Sequence, residues 1–333
     1  MAYGFCSAHA AATSLDMCYG AYLKIHYPLQ YYTVCFNNYS DDTVRTNKLK
    51  KELEYFHISL SDIKFRYSTS KYGYDIETNT IYKGMSSIKF IGDNVGDDLY
   101  ALRDNKYDSF IDLLIDIKKT SVNSKQLEIL IKLNFFSEFG EINTLLKQVE
   151  YFDLIYGKKQ FNVTKIKQQN LPIEIIETHC KKQTEKIWKD FDSVELLKDI
   201  VSNTEYESTS IKDILSYQNE LYGYIVYTNP EINKRLYYVS DIKCTKSITI
   251  VSIYEIFSGK TREVKMWTSQ YRNNPFDNGN ILYIISLEKK HKKEPTGEIN
   301  EKTGKRIYRD VPDKFEYWLK SFTIKEDIEV GDE

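Results

Sequence analysis

Apolar residues follow helical spacing over roughly the first two-thirds of this 333-residue chain and alternate with polar ones over the last third. Ser7 to His26 is rich in alanine, a strong helix former, and Pro28 marks its end, so the spacing predicts a helix there. Val44 to Phe56 reads as a second, charged amphipathic helix. Residues 63–84 alternate and carry a turn at Glu77-Thr78-Asn79, which predicts a short β excursion. From Ile88 to Gly140 the helical pattern returns in short units. Gly92 sits in a tight turn between two brief helices, and residues 125–136 form an apolar helix ending near Phe135. Residues 141–219 continue helical but looser, with 158–172 as a linker and 179–191 as a polar helix. Composition changes most near Glu220. Beyond it come closely spaced strands over 246–257, 261–272 and 280–290, separated by the turns Ser258-Gly259-Lys260 and Asn278-Gly279. Such spacing suggests a small barrel or sandwich. Residues 289–306, rich in Lys, Glu, Gly and Pro, read as a long solvated loop. The expected fold class is multidomain α+β, divided at 1–60, 61–140, 141–219 and 220–333.

Hydrophobic residues make up 41% and charged residues 28% of the chain, which excludes disorder throughout and leaves apolar mass for several cores. No run of eighteen apolar residues exists, and no basic stretch precedes an apolar one at the N-terminus. The chain is therefore expected to be cytoplasmic, with no membrane partner. Cys6, Cys18, Cys35, Cys180 and Cys244 are odd in number and scattered, a pattern of reduced thiols rather than of disulfides or a zinc site.

Charge changes the picture more. Residues 242–325 hold 17 of the 46 Lys/Arg and only 10 of the 48 Asp/Glu, although the whole chain has a net charge of −2. A basic end on an acidic body points to a polyanion as its partner.

Within that end the strand Glu263–Trp267 alternates, Val264 and Met266 facing one way and Lys265 and Trp267 the other. A lysine beside an aromatic ring is how single-stranded nucleic acid is held, by charge on its backbone and stacking under its bases. Tyr254, Lys260, Arg262, Tyr271 and Arg272 would extend the surface; a partly buried core tryptophan gives the same pattern. In the helical part, Ile91-Gly92 and Asn94 are candidates for a helix-hairpin-helix, whose tight turn offers backbone N–H groups to a phosphate. Phe90 occupies the place where the first glycine of such hairpins sits, and a merely structural turn is equally compatible. Asp190/Asp192 and Asp97/Asp98 have spacings seen in metal-dependent catalysis, but each also suits a helix cap or a solvated face. No phosphate-binding Gly-x-x-x-x-Gly-Lys loop and no nucleophile, base and orienter set is present.

Read together, these motifs resemble the C-terminal part of bacterial DNA polymerase III alpha subunits. The match to the family's fingers signature runs through His9–Ala12, Ala21, Tyr22, Lys24, His26, Tyr27, Pro28, Tyr31 and Tyr32. Residues 82–141 resemble its tandem helix-hairpin-helix region. Glu220-Leu221-Tyr222-Gly223 is similar to the segment that introduces its OB domain. Thr13, Gly20 and Asn229 depart from the family's usual residues. The resemblance implies end of fingers, helix-hairpin-helix region and OB fold. His9 and Lys24 would lie at the nucleotide pocket, and the chain would position nucleotide, duplex and template. It further implies that the metal-binding palm aspartates lie elsewhere. The chain alone is then expected to be inactive and without a cofactor of its own, while the complete polymerase uses Mg2+. Expected partners are DNA and a palm-containing polymerase segment or subunit; Gln148, Tyr151 and Phe152 also have the form of the family's sliding-clamp motif, although their place in a continuing amphipathic helix favours a packed helix over clamp binding. A stand-alone nucleic-acid-binding module and a replisome adaptor remain the alternatives.

Overall fold

The computed structural model describes residues 7–40, 42–299, 306–326 and 328. Contacts divide the chain into two compact units, Met1–Ser208 and Thr209–Glu333.

In the first unit, α1 (Ser7–His26) ends where expected, and Pro28 opens α2 (Pro28–Asn38), its fixed φ suiting a first helical turn. Leu29, Tyr32 and Phe36 share one face of α2 and pack with Leu53 of α3 (Thr43–Leu53), Ile58 and Ile81. β1 (Ser59–Ser61), β2 (Gly73–Asp75) and β3 (Thr80–Tyr82) form a three-stranded sheet in the order β1-β3-β2, which is the anticipated β excursion. Asp75 holds its turn by accepting from the Glu77 N–H at 3.0 Å and the Thr78 hydroxyl at 2.8 Å.

Three short helices follow: α4 (Asp93–Ala101), α5 (Phe110–Ile117) and α6 (Ser124–Lys132). Their starts are written locally. Ser109 Oγ accepts from the Asp112 N–H, and Asn123 and Gln126 cap α6 reciprocally. The rings of Phe65, Phe110, Phe135 and Phe136, each at most 3% exposed, pack edge-on and tilted beneath these helices. Gly96 lets α4 approach the chain at Ser70 closely, since a Cβ there would lie 2.7 Å from the Ser70 Cα.

The rest of this unit comprises α7 (Ile142–Ile155), β4 (Gln160–Asn162), α8 (Val163–Gln168), α9 (Ile173–His179), β5 (Lys182–Gln183), β6 (Ile187–Lys189) and α10 (Ser193–Asn203). Two expectations are corrected here. The linker at 158–172 contains a strand and a helix, and the segment 179–191 expected as a polar helix holds instead the short strands β5 and β6, in the sheet order β4-β6-β5. Strands of two or three residues are too short to display a period. What fixes them is the burial of Phe161 and Trp188, which face each other across the β4–β6 pair.

The second unit begins with α11 (Ile211–Tyr222). Five strands then close a barrel: β7 (Leu236–Cys244), β8 (Ile248–Glu255), β9 (Lys260–Trp267), β10 (Ile281–Ile299) and β11 (Arg306–Lys325). Around the barrel the order is β7-β8-β9-β11-β10 and back to β7, with only β9 and β11 parallel. Val239, Val251, Ile253, Val264, Met266, Leu282 and Leu319 fill it, each side chain contributing roughly 1.5–3 kcal/mol by burial. Ile211 and Leu215 of α11 pack with Leu236, Tyr238, Tyr254 and Ile281, so α11 and barrel strands build a second core, separate from the one that fills the barrel. The contact boundary therefore precedes the composition change near Glu220, which marks the approach to the first strand rather than the edge of the core. At the β8–β9 hairpin Gly259 has φ +71°, a conformation that favours glycine in the expected Ser258-Gly259-Lys260 turn.

Two further corrections fall in this unit. Residues 261–272 are not one strand; β9 stops at Trp267 and α12 (Thr268–Asn273) follows. The solvated loop expected over 289–306 is strand wherever it is described, with 300–305 outside the described residues. β10 pairs with β11 from Ile281–Lys325 out to Ile299–Arg306, whereas β7 pairs with Ile281–Tyr283 and β9 with Tyr317–Trp318. The outer part is thus a two-stranded ribbon. It reads as loop because residues such as Lys289, Lys290, Lys292 and Arg309 leave no alternation of apolar and polar positions to detect.

Candidate nucleic-acid interface

On the barrel, the alternation along β9 is realised: Val264 and Met266 are buried, Lys265 is partly exposed and Trp267 is 50% exposed. Trp267 has a partner that the sequence reading missed. The ring of Trp318 lies 4.9 Å from it, because β11 runs parallel to β9 with Trp318 opposite Lys265. Lys290 Nζ stands 5.1 Å from the Trp318 ring centroid. Lys265 is not a free cation; its Nζ lies 2.5 Å from Glu316, which also accepts from the Trp318 indole N–H at 2.7 Å. Burial alone pushes the Glu316 carboxyl up, but the hydrogen bonds from Lys265 and Trp318, with the charges of Lys265 and Lys292, outweigh it and hold its pKa below the usual value. A groove of about 380 Å3 runs alongside, lined by Arg262, Lys265, Lys292, Phe315 and Tyr317 among others. Lys289 Nζ sits 3.8 Å from the centre of the exposed Phe315 ring.

The remaining residues proposed for this surface separate. Lys260 and Arg272 are exposed. Arg262 is in the phase of Val264 and Met266, where its guanidinium lies 3.7 Å from Glu255 and 5.8 Å from the Tyr317 ring centre. Tyr271 lies on α12 and is half-buried, its hydroxyl donating to the Phe276 carbonyl at 2.8 Å. Tyr254 is excluded from the surface. It is 3% exposed in the shared core of α11 and barrel, donates to the Tyr227 carbonyl at 2.8 Å, and burial pushes its hydroxyl pKa up to about 12. The last three residues of β8 are buried on both faces, so Tyr254 has no solvent-facing side there.

In the helical hairpins the tight turn is displaced. Gly92 has an ordinary φ of −92° as N-cap of α4, and the left-handed residue is Phe90, with φ +70°. Gly92 and Asn94 are exposed, and Gly92 brings no side-chain cap to the first-turn N–H groups of α4. Ile91 is 5% exposed, so its side chain anchors the turn in the core and only its backbone is available to a ligand. Asp98 ties α4 to the connection between α5 and α6 by accepting from the Ser121 N–H at 2.9 Å and hydroxyl at 2.5 Å, bonds that hold its pKa below the usual carboxylate value.

His9 is exposed on α1. Lys24 is bound to Glu52 at 2.6 Å, and Glu52 also accepts from the Tyr32 hydroxyl at 2.8 Å, so Lys24 links α1 to α3. The residues proposed for clamp binding are buried: Gln148 is 6%, Tyr151 6% and Phe152 4% exposed along α7. The apolar positions that imitate a peptide motif are the inner face of a packed helix, which removes them from contact with a second protein. Asp192 caps α10, and Asp190 lies 3.1 Å from Lys182. Among the described residues no group of three or more His, Cys, Asp or Glu is arranged to hold a metal ion. Cys18, Cys35, Cys180 and Cys244 are free thiols; Cys6 lies outside the described residues. No helix among the described residues is long and apolar enough to cross a membrane.

Comparison with known proteins adds an independent constraint. Residues 57–144, which span the sheet β1-β3-β2 and helices α4–α6, match the helix-hairpin-helix motif family. The DNA polymerase III alpha subunit of Treponema pallidum is 26% identical over 198 residues, covering 59% of this chain and 17% of that protein. The subunit of Ureaplasma parvum is 30% identical over 144 residues, 43% of this chain and 15% of its own length. That of Chlamydia pneumoniae is 26% identical over 321 residues, covering 87% of this chain and 25% of that protein. The chain thus spans at most a quarter of the length of these three relatives. Its helical part, with a helix-hairpin-helix motif, and its strand-rich part together resemble DNA polymerase III alpha subunits.

Proposed function

We propose that this chain binds DNA in replication, as the nucleotide- and template-positioning part of a DNA polymerase III alpha subunit. The observation that carries the reading is the conjunction, in one chain similar to such subunits, of a helix-hairpin-helix motif and a closed five-stranded barrel with the exposed Trp267 packed on the buried Trp318. The barrel's strand order, with β9 parallel to β11 and a short helix before β10, supports an OB fold. In that reading Trp267 stacks a base, Lys290, Lys292 and Arg272 face the backbone, and Lys265 exchanges Glu316 for a phosphate. Gly92 and Asn94 bring the start of α4 to a duplex phosphate.

α1 supports a polymerase partner. None of its described residues is buried, and Leu15, Met17, Tyr19, Tyr22, Leu23 and Ile25 are each at least 47% exposed. Large apolar side chains so exposed on a helix mark a surface that another protein covers. The proposed cover is a palm-containing segment or subunit, whose carboxylates would hold the Mg2+ of phosphoryl transfer, with His9 approaching the nucleotide. Mixing the purified chain with a separately expressed palm-containing chain tests this. Restored primer extension supports it, whereas DNA binding with continued inactivity favours a stand-alone binding module.

A further inference from the structure

The turn before α4 places a bulky aromatic residue where the backbone favours glycine. Phe90 has φ +70°, a conformation costly for a side chain of its size. The usual compensation is missing, because Phe90 is 65% exposed while its neighbours Ile88 and Ile91 are 2% and 5% exposed. The turn is nevertheless held from α6. Gln126 Nε2 donates to the Phe90 carbonyl at 3.2 Å, and Lys125 Nζ lies 4.1 Å from the Phe90 ring centre. A strained, exposed ring on a well-anchored turn is presented outward, not folded inward.

Resting on the duplex-binding reading above, we infer that Phe90 is the apolar contact of this hairpin with the minor groove of duplex DNA. The partner must accept a ring and, within a few ångströms, satisfy Lys125 and the uncapped start of α4 two residues later. Duplex DNA offers that combination, since phosphates flank a groove whose sugars and base steps admit apolar wedges such as phenylalanine. Asp93 already answers the positive end of α4 in its first turn, so a lone small anion is served less well and the ring is the distinguishing element.

The test uses the full chain and short DNA duplexes, with Phe90→Gly and Phe90→Leu. Glycine accepts the left-handed backbone, so Phe90→Gly should melt no lower than the parent. Its duplex Kd should rise about tenfold, the size of loss expected for one aromatic contact with a nucleic acid. No charge is removed, so the slope of log Kd against log salt should not change. Phe90→Leu, still a wedge, should lose less. Parent-like duplex affinity in Phe90→Gly overturns this inference and leaves the duplex-binding reading standing. A melting point well below the parent's also overturns it, because the ring would then serve the fold. Failure of the parent chain to bind duplex removes the underlying reading itself.

Discussion

At the scale of single residues, the most unusual electrostatics lie away from the candidate interface. Lys83, 5% exposed, has its pKa pushed down to about 7, chiefly by burial; the Asp62 charge pulls it back up and Lys50 pushes it further down. Burial likewise raises the Asp62 pKa. The sign of the consequence follows from proton counts. Between pH about 7 and about 10.5 the unfolded chain keeps a proton that folded Lys83 has released, so Lys83 makes stability rise with pH in that window. Urea midpoints from pH 7 to 10 should climb in the parent and climb less in Lys83→Met. Equal slopes in the two proteins would exclude the buried lysine as the cause. Phe90 and Gly92 teach a different lesson at this scale: both residues are visible in the sequence, but φ is a property of the closed turn, and the left-handed position fell to the phenylalanine.

At the scale of elements, what was legible follows from length and repetition. A twenty-residue helix with five alanines and a proline after it announces itself, as α1 does. β4, β5 and β6, at two or three residues, do not, and the β10–β11 ribbon hides because its strands are polar. Gly96 gives a direct test of helix placement. Alanine ordinarily favours a helix, but here its Cβ would meet the Ser70 backbone, so Gly96→Ala should destabilise by about 1–3 kcal/mol in denaturant titration. A stabilised variant would mean that α4 and the chain at Ser70 do not approach so closely. For α1, exposure of every described side chain to at least an intermediate degree predicts fast amide exchange in the chain alone. Hydrogen-exchange mass spectrometry should then find these amides protected once a palm-containing chain is added.

At the scale of the molecule, two compact units with separate cores predict that one ligand can act on one unit. Oligothymidine should raise a melting transition of the Thr209–Glu333 unit while leaving that of Met1–Ser208 in place. Trp267→Ala should abolish most of that shift, weakening single-strand binding by about 1–3 kcal/mol without changing duplex affinity. Loss of both affinities together would argue against a separate role for the barrel. The barrel strand β9, its inner Val264 and Met266 and its outer Lys265 and Trp267 were determined by local alternation, as was the helical character of the first two-thirds, because periodicity is carried by neighbouring residues. Tertiary structure alone decided that Trp318 meets Trp267, that Glu316 occupies Lys265, that Tyr254 and Gln148 are buried and that α11 belongs with the barrel. Each of those depends on which distant segment arrives opposite, 51 residues away for Lys265 and Glu316, and no local pattern encodes that arrival.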